Sequence, residues 1–521
     1  MLSLLRVAVE VARAAAAAMS SSLSPTKPIF VGALILGGFL ALLLSTEDVG
    51  LGAQEDGSNA WPYLMEDWYD RLAYQQRGRW IASGGTPYLQ EFSEYPQLST
   101  WLMGAPYLFF DHGVKEGEPF QSSEAAHALL ADAGLSPRSA ESVFDELCKR
   151  VSDSSAGDSA YLVRMASRLA LEGDLDESHV REVLGSAARE QAREREELLR
   201  NRRPYGDWHH GLMGLFYFGL LVLTTANLRR MGRSPWWALL LLLPASLFFG
   251  FNRFDMVVTF LVGATLFAHL RGRRRLTALL IGLAIMTKWY PVVLVPLLLS
   301  HDFHSTRLAM IGRGEPAALG RVFLDAVLFP GLIVVAVIVT VLGICWAWDG
   351  GGLEAVKFVF DWHANVRKPN HSSLLHALTH PDRWGWLQAS ARPQLELLFK
   401  ALQLAPGFVL ACFVIRTRRA LLLGCLAATL GSMVFSEFFS PQWVIWVTAL
   451  AVLLAPTQRR FLALLVGLEL VMYLQLPLFH HHSQAVSEFS GFWFVNSLRI
   501  AVVVLFFVVT LFSFFQEQRR A

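Results

Sequence analysis

The sequence has few cysteines, no marked excess of either charge and no evident repeat between its two halves. Its four cysteines, Cys148, Cys345, Cys412 and Cys425, are far apart in the sequence. The last three lie in apolar runs. This spacing gives neither a disulfide framework nor a cysteine-based metal site. A formal net charge of +2 provides no basis for expecting nucleic acid as a partner. The absence of a repeat argues against a transporter built from two related halves.

Apolar residues are abundant instead. They make up 54% of the 521 residues, and the mean hydropathy is +0.39. Many apolar runs reach the roughly 17–25 residues that a membrane-spanning helix needs. We therefore predict an all-α, multi-pass integral membrane protein with about twelve transmembrane helices in contact with membrane lipids. The predicted spans are 28–46, 209–229, 235–251, 254–270, 275–288, 289–301, 321–346, 395–415, 419–436, 440–456, 459–479 and 491–515.

One apolar stretch is interrupted in its middle by Lys288-Trp289-Tyr290-Pro291. Proline disfavours a helical conformation in the residue before it, so we predict a break with Lys288 at its apex. One long kinked helix is the alternative. With the break, the arginine-rich loops all fall on one side, which the positive-inside rule assigns to the cytoplasm. These loops contain Arg229, Arg230 and Arg233, then Arg271 to Arg275, Arg307 to Arg321, Arg416 to Arg419, Arg459 with Arg460, and Arg519 with Arg520.

This topology divides the chain into four parts and gives it a large first extracytoplasmic loop. In a bacterium the membrane would be the cell (inner) membrane, and in a eukaryote that of the endoplasmic reticulum. Residues 1–27 are expected to form a cytoplasmic leader, although a weak targeting peptide is an alternative. The other parts are 28–111, with the first span and an acidic, aromatic loop; 112–205, a polar helical insertion; and 206–521, a transmembrane core with an extracytoplasmic loop at 347–394.

The acidic, aromatic loop is one candidate site. Glu66, Asp67 and Asp70 lie within five positions of one another, and tyrosines and tryptophans crowd around them. A carboxylate within hydrogen-bond reach of a hydroxyl group can act as a general base. The aromatic rings suit either a sugar face or the lipid boundary. The alternative is an ordinary solvated acidic loop.

Cations predicted on the same side of the membrane form a second candidate site. Arg253 and Lys288 suit a phosphate group, although long cations at a membrane interface also occur without any such role. The loop at 360–373 adds the cations Arg367 and Lys368 and the imidazoles His363 and His371. An ordinary solvated basic loop is the alternative. Gln442 lies in a short polar turn that can bind sugar hydroxyls or merely join two helices. The run His480-His481-His482 has poor ligand spacing for a helix, so we predict no metal site.

Taken in order, these motifs resemble those of a known family. The set resembles the polytopic mannosyltransferases that use a polyprenyl-phosphate sugar, within the C-type glycosyltransferase superfamily, and is similar to the bacterial phosphatidylinositol-mannoside mannosyltransferases. The sequence departs from the family pattern at Gln97, where a second proline is usual, and in the insertion at 112–205. The motifs are Asp70-x3-Tyr74, Gly84-Gly85-Thr86-Pro87-Tyr88, Glu94-Tyr95-Pro96, Arg253-Phe254-Asp255, Thr287-Lys288-Trp289-Tyr290-Pro291 and Ser440-Pro441-Gln442-Trp443.

The resemblance implies a membrane hexosyltransferase, and it also implies roles for the residues that match the family's motifs. The donor would be a polyprenyl-phosphate sugar and the acceptor a lipid or a glycan, with no cofactor. Asp70 would be the catalytic base, with Asp67 as the second choice. The donor phosphate would contact Lys288, Arg253, Arg367 and Lys368. The substrates would contact Asp255, Tyr74, Tyr88, Tyr95, Tyr290, His363, His371 and Gln442.

Two other functions are compatible with the residues. A flippase or transporter of a lipid-linked sugar would also need charged groups near a membrane. A non-catalytic scaffold organised around the insertion at 112–205 would tolerate changes at Asp70 and Lys288.

Overall fold

The structure is a computed structural model, and all the regular elements in the residues that it describes are helical. This confirms the prediction of an all-α protein for that part of the chain. The predicted first span, 28–46, and the acidic residues Asp67 and Asp70 lie outside it. The described residues are 74–75, 77–79, 81–82, 96–108, 129–130, 176–186, 202–314, 319–349, 357, 372–379, 392–476 and 490–520.

The chain forms two compact units. The smaller unit contains Arg71–Glu91 and Thr100–Trp208. Its buried Tyr205 donates a hydrogen bond to the Met103 carbonyl oxygen at 3.1 Å, and Tyr107 donates one to the Gln75 carbonyl oxygen at 3.2 Å. These bonds join segments that are distant in the sequence. The larger unit contains Met1–Asp70, Phe92–Ser99 and His209–Ala521.

Helices occur at each span predicted from residue 209 onwards. They are α2 (Arg202–Arg230), α3 (Pro244–Asn252), α4 (Asp255–His269), α5 (Arg274–Thr287), α6 (Val295–Gly312), α7 (Leu319–Phe323), α8 (Phe329–Asp349), α9 (Leu374–Thr379), α10 (Arg392–Ala411), α11 (Arg418–Val434), α12 (Val444–Leu454), α13 (Arg459–Tyr473) and α14 (Ser490–Arg520), preceded by α1 (Gln97–Gly104). Short 3-10 segments cover Ala105–Leu108, Pro235–Leu242, Tyr290–Leu294, Pro441–Trp443 and Ala455–Thr457, and a π-helical turn, Leu324–Leu328, joins α7 to α8.

In the described part of the chain, four helices are long and apolar enough to cross a membrane. The number rises to five if the pair Pro235–Leu242 and Pro244–Asn252, bent by 69°, counts as one span. The predicted total of about twelve is therefore not confirmed. The qualifying helices are Tyr205–Arg230, Leu319–Ala347, Arg392–Ala411 and Phe494–Arg520.

Two further apolar helices form the centre of the larger unit. Every residue of α12 is buried, and so is almost every residue of α11. A helix that is apolar on all sides belongs in a core. By contrast, only 17% of the most apolar window of Leu319–Ala347 is buried, which leaves an apolar surface suited to lipid.

A buried carboxylate connects three helices of this core. Glu469 on α13 accepts hydrogen bonds from the backbone N–H of Ser246 on α3, at 2.8 Å, and from the hydroxyl groups of Ser246 and Thr448. Thr448 lies on α12. Because polar groups without partners are costly in an apolar core, the three donors stabilise the packing of these helices.

The chain reverses direction at the predicted break, which excludes one long helix. Helix α5 ends at Thr287, and Lys288 is extended, with φ −156° and ψ 140°. After the break, Asp302 on α6 lies 3.5 Å from Arg274 at the start of α5. An unbroken helix would hold those two residues about 42 Å apart, since each residue adds about 1.5 Å. Lys288 therefore lies at the turn between α5 and α6, at the end of α5 remote from Arg274.

Close packing holds the turn that follows Lys288. Gly407 on α10 faces the backbone of Val293, and a Cβ atom there would lie 2.1 Å from the Val293 carbonyl oxygen. Only glycine allows such an approach. The backbone of α10 thus supports the segment that carries Lys288 and Tyr290.

Candidate functional site

Asp255 lies at the start of α4, where the chain turns out of α3. Helix α3 ends at Asn252, and Arg253 is extended, with φ −129° and ψ 140°. A carboxylate in the first turn of a helix is stabilised by the partial positive charge of the helix N-terminus. The Asp255 side chain is fully buried.

Lys288 and Gln442 both contact the Asp255 carboxylate. Lys288 Nζ lies 3.2 Å from Asp255 Oδ2, and Gln442 Nε2 donates a hydrogen bond to the same oxygen at 2.7 Å. The other oxygen, Oδ1, is buried and has no hydrogen-bond partner among the described residues. Three residues that the sequence analysis selected from distant motifs therefore meet at one point.

An aromatic stack lies beside this carboxylate. The Tyr290 and Trp446 rings stack with their centroids 3.8 Å apart, and Trp446 stacks on Trp443 at 4.9 Å. The Tyr290 hydroxyl group and Trp446 Nε1 are also buried, and neither has a hydrogen-bond partner within the described ranges. Buried polar atoms of this kind call for an explanation, and a bound polar ligand is one of the established ones. Together with Asp255 Oδ1, they offer both donors and an acceptor to hydroxyl groups.

Sequence reasoning missed Trp446. It lies four residues after Gln442, and in helical structure that spacing puts two side chains on the same face. The motif Ser440-Pro441-Gln442-Trp443 ended before it, so the four-residue spacing from Gln442 was the signal in the sequence that pointed to Trp446.

The remaining predicted site residues fall into three groups, according to where the structure places them. Arg253, two residues before Asp255 in the chain, is buried in the larger unit, with 5% of its surface exposed. Tyr74 is buried in the smaller unit. The rest lie outside the residues that the structure describes, namely Asp67, Asp70, Tyr88, Tyr95, His363, Arg367, Lys368 and His371.

A further ion pair lies near the turn that carries Gln442. Glu437 is 3.7 Å from Lys400 on α10. Burial raises the pKa of Glu437, and the positive charge of Lys400 partly offsets that rise. The pair joins α10 to the segment between α11 and α12.

A second polar cluster lies at the other end of α4, about 21 Å from Asp255 along the helix axis. His269 Nε2 and His301 Nδ1 are 2.9 Å apart, and His269 Nδ1 is 3.8 Å from Asp302. Ligand atoms of the three residues lie within 4.8 Å of one another, close enough to hold a metal ion. The Arg274 guanidinium group, 3.5 Å from the Asp302 carboxylate, opposes a cation there.

The comparison with family models bears on the first of these two clusters. Residues 209–441 match the model of glycosyltransferase family 87. That family is of the C-type, and the match covers a little under half of the chain. It contains Arg253, Asp255 and Lys288 and ends one residue before Gln442. No curated protein matched the sequence.

The family match and the apolar helices together indicate a membrane glycosyltransferase. A transferase of this kind uses a sugar donor and an acceptor. The likeness to the C-type superfamily that the motifs predicted is thus supported.

Proposed function

We propose that the protein transfers a hexose, mannose, from a polyprenyl-phosphate sugar to a lipid or glycan acceptor on the extracytoplasmic side of its membrane. The observation that carries this proposal is that Lys288 and Gln442 both contact the Asp255 carboxylate. Asp255 and Lys288 lie within the family 87 match, and Gln442 directly follows its last residue. These residues lie at the end of α4 remote from the basic loop Arg271 to Arg275. The positive-inside rule places that loop in the cytoplasm, and the cluster therefore on the opposite side.

The reaction is a single displacement. Asp70 takes the proton from the acceptor hydroxyl group, whose oxygen attacks C1 of the sugar. The bond between C1 and the phosphate oxygen breaks, and its electron pair leaves with the lipid phosphate. The anomeric configuration is inverted because one attack occurs from the face opposite the leaving group.

The site has to supply positive charge that stabilises the negative charge developing on the departing phosphate. Lys288 offers a cation, and Asp255 holds its ammonium group in place at 3.2 Å. Because Asp255 neutralises much of that charge, Arg253 and the loop cations Arg367 and Lys368 supply the excess positive charge. Fixed charges in a site with little water stabilise developing charge strongly.

The aromatic stack and the partnerless polar atoms serve sugar recognition. Asp255 Oδ1 accepts a hydrogen bond from a sugar hydroxyl group, and Tyr290 and Trp446 Nε1 donate to others. Recognition by buried hydrogen-bonding groups discriminates well, since a ligand lacking the hydroxyl group leaves these atoms unpaired. The same arrangement explains why polar atoms are retained among apolar helices.

A transfer assay in proteoliposomes tests the proposal. The full chain is supplied with radiolabelled polyprenyl-phosphate mannose and a membrane lipid extract as acceptor, and label in the product is measured over time. We expect Asp70→Asn to lower the rate by about a hundredfold or more, as expected for loss of a general base. Asp67→Asn is the matched control and should retain most of the activity.

Three results would contradict the proposal. Near-normal transfer by folded Asp70→Asn would overturn the assignment of the base. Label moving across the bilayer without a new glycosidic bond would favour a flippase. Transfer from a nucleotide sugar alone would overturn the donor class.

A further inference from the structure

Arg499 on α14 is fully buried, and it lies in an apolar stretch that qualifies as a membrane span. Its Nη2 atom donates hydrogen bonds to the Ser372 carbonyl oxygen and to Asn496 Oδ1. Its guanidinium group also lies over the Phe439 ring, 3.8 Å from the centroid. The two other nitrogen atoms, Nε and Nη1, have no hydrogen-bond partner in the part of the chain that the structure describes.

The known contacts of Arg499 do not balance its charge. A guanidinium group remains protonated in proteins, and buried charges are almost always paired with an opposite charge. Within the described ranges, no ion pair joins Arg499 to a carboxylate. A carbonyl oxygen, an amide oxygen and an aromatic face stabilise a cation only in part. Among the described residues, the environment of Arg499 therefore lacks an anion.

Arg499 lies in the same unit as the candidate site and is connected to it by packing. The Phe439 ring beneath it contacts Trp443, with centroids 5.5 Å apart, and Trp443 belongs to the aromatic stack. Gln442, on the same short turn, bonds to Asp255. Ser372, whose carbonyl oxygen accepts a hydrogen bond from Arg499, follows the predicted loop cations Arg367 and Lys368 in the sequence.

We propose that Arg499 binds a phosphate group and that this group is the lipid phosphate of the sugar donor. The inference rests on the proposed function, which supplies the donor class, and it adds a cation that the sequence motifs did not include. A phosphate oxygen is the acceptor that guanidinium N–H groups bind most strongly. Arg499 then stabilises the same phosphate in the donor and in the leaving group.

A change at Asn496 tests this without removing the arginine. Asn496→Asp keeps the size of the side chain but puts a carboxylate where Arg499 already donates a hydrogen bond. We expect this internal anion to raise the melting temperature of the ligand-free protein and to weaken binding of a polyprenyl phosphate by about tenfold. Binding of the uncharged polyprenol should not change.

The measurement uses the full chain in nanodiscs and compares a polyprenyl phosphate, the matching polyprenol and inorganic phosphate. Arg499→Lys, which keeps the charge, should lose less affinity for the lipid phosphate than Arg499→Gln. Arg520→Gln, at the far end of the same helix, is the matched control and should bind like the unaltered protein. Inorganic phosphate should compete with the lipid phosphate at high concentration.

The outcomes separate this inference from the proposed function. If the unaltered protein binds the lipid phosphate and Asn496→Asp and Arg499→Gln bind it equally well, Arg499 is not the phosphate site, while the donor class stands. If the unaltered protein binds the lipid phosphate no better than the polyprenol, the donor class itself fails. Stabilisation by inorganic phosphate alone would overturn the lipid assignment. A fall in melting temperature for ligand-free Asn496→Asp would show that Arg499 already has an anionic partner within the chain.

Discussion

Lys288 and Asp255 lie 3.2 Å apart, although 33 positions separate them in the sequence. Lys288 follows the last residue of α5, and Asp255 is the first residue of α4. The pair therefore closes one end of two neighbouring helices. The aspartate is completely buried, whereas the lysine side chain keeps 20% of its surface exposed. The lysine can thus face both the carboxylate and a substrate.

Removing the lysine should leave a buried negative charge without its partner. We expect Lys288→Met to lower the free energy of unfolding by about 3 kcal/mol, the usual scale for breaking a buried ion pair. Asp255→Asn combined with Lys288→Met should cost less than the sum of the two single changes. Denaturation of the four proteins in detergent measures the coupling. Strictly additive losses would show that the two charges do not stabilise each other.

The Tyr290 hydroxyl group is expected to act on the substrate and not on the fold. Because the hydroxyl group has no hydrogen-bond partner in the described part of the chain, Tyr290→Phe should leave the melting temperature unchanged or slightly higher. If the hydroxyl group binds the sugar, KM should rise by about fivefold, as expected for one lost hydrogen bond. An unchanged KM would remove Tyr290 from the site.

Tyr217→Phe is the matched control for that experiment. The Tyr217 hydroxyl group donates a hydrogen bond to the Leu241 carbonyl oxygen within the core. Its loss should lower the free energy of unfolding by about 1 kcal/mol and leave KM unaltered. Both substitutions remove a tyrosine hydroxyl group, but Tyr290→Phe should weaken binding without loss of stability, and Tyr217→Phe should lower stability without weakening binding.

Gly407 should be intolerant of a side chain because of its contact with Val293. A Cβ atom at this position would overlap the Val293 carbonyl oxygen, so Gly407→Ala must displace the turn after Lys288. We expect lower thermal stability and a lower transfer rate. Gly343→Ala on α8 meets nothing within 4 Å and should be neutral or stabilising, since alanine favours helix. Equal behaviour of the two variants would show that the contact with Val293 does not position the turn.

The sequence was informative where a local signal exists. Lys288-Trp289-Tyr290-Pro291 predicted the helix break because proline restricts the residue before it, and the structure has the break there. The positions of the helices after residue 209 also followed from the apolar runs. Membrane crossing did not follow in the same way, because α11, with 17 residues, and α12, with 11 residues, are apolar but shorter than a spanning helix.

Contacts between distant positions had no comparable signal. Glu469 lies 223 positions from Ser246, and its isolated charge in an apolar run did not indicate which groups would bind it. Gln442 was selected for its polarity, yet its bond to Asp255 depends on how α4 and α12 pack. Arg499 was missed even though a single arginine in a predicted span is itself a signal of function.

The central claim is that chemistry occurs at the Asp255 end of α4. It is tested most directly by the transfer rates of two variants, each altered at one end of α5. Lys288 follows the end of α5, and Arg274, paired with Asp302, begins it. In the proteoliposome assay, Lys288→Met should lower sugar transfer by about a hundredfold or more, as expected when a group that stabilises developing charge is lost. Arg274→Met, folded to the same extent, should retain most of the activity. A larger loss in Arg274→Met than in Lys288→Met would contradict the account.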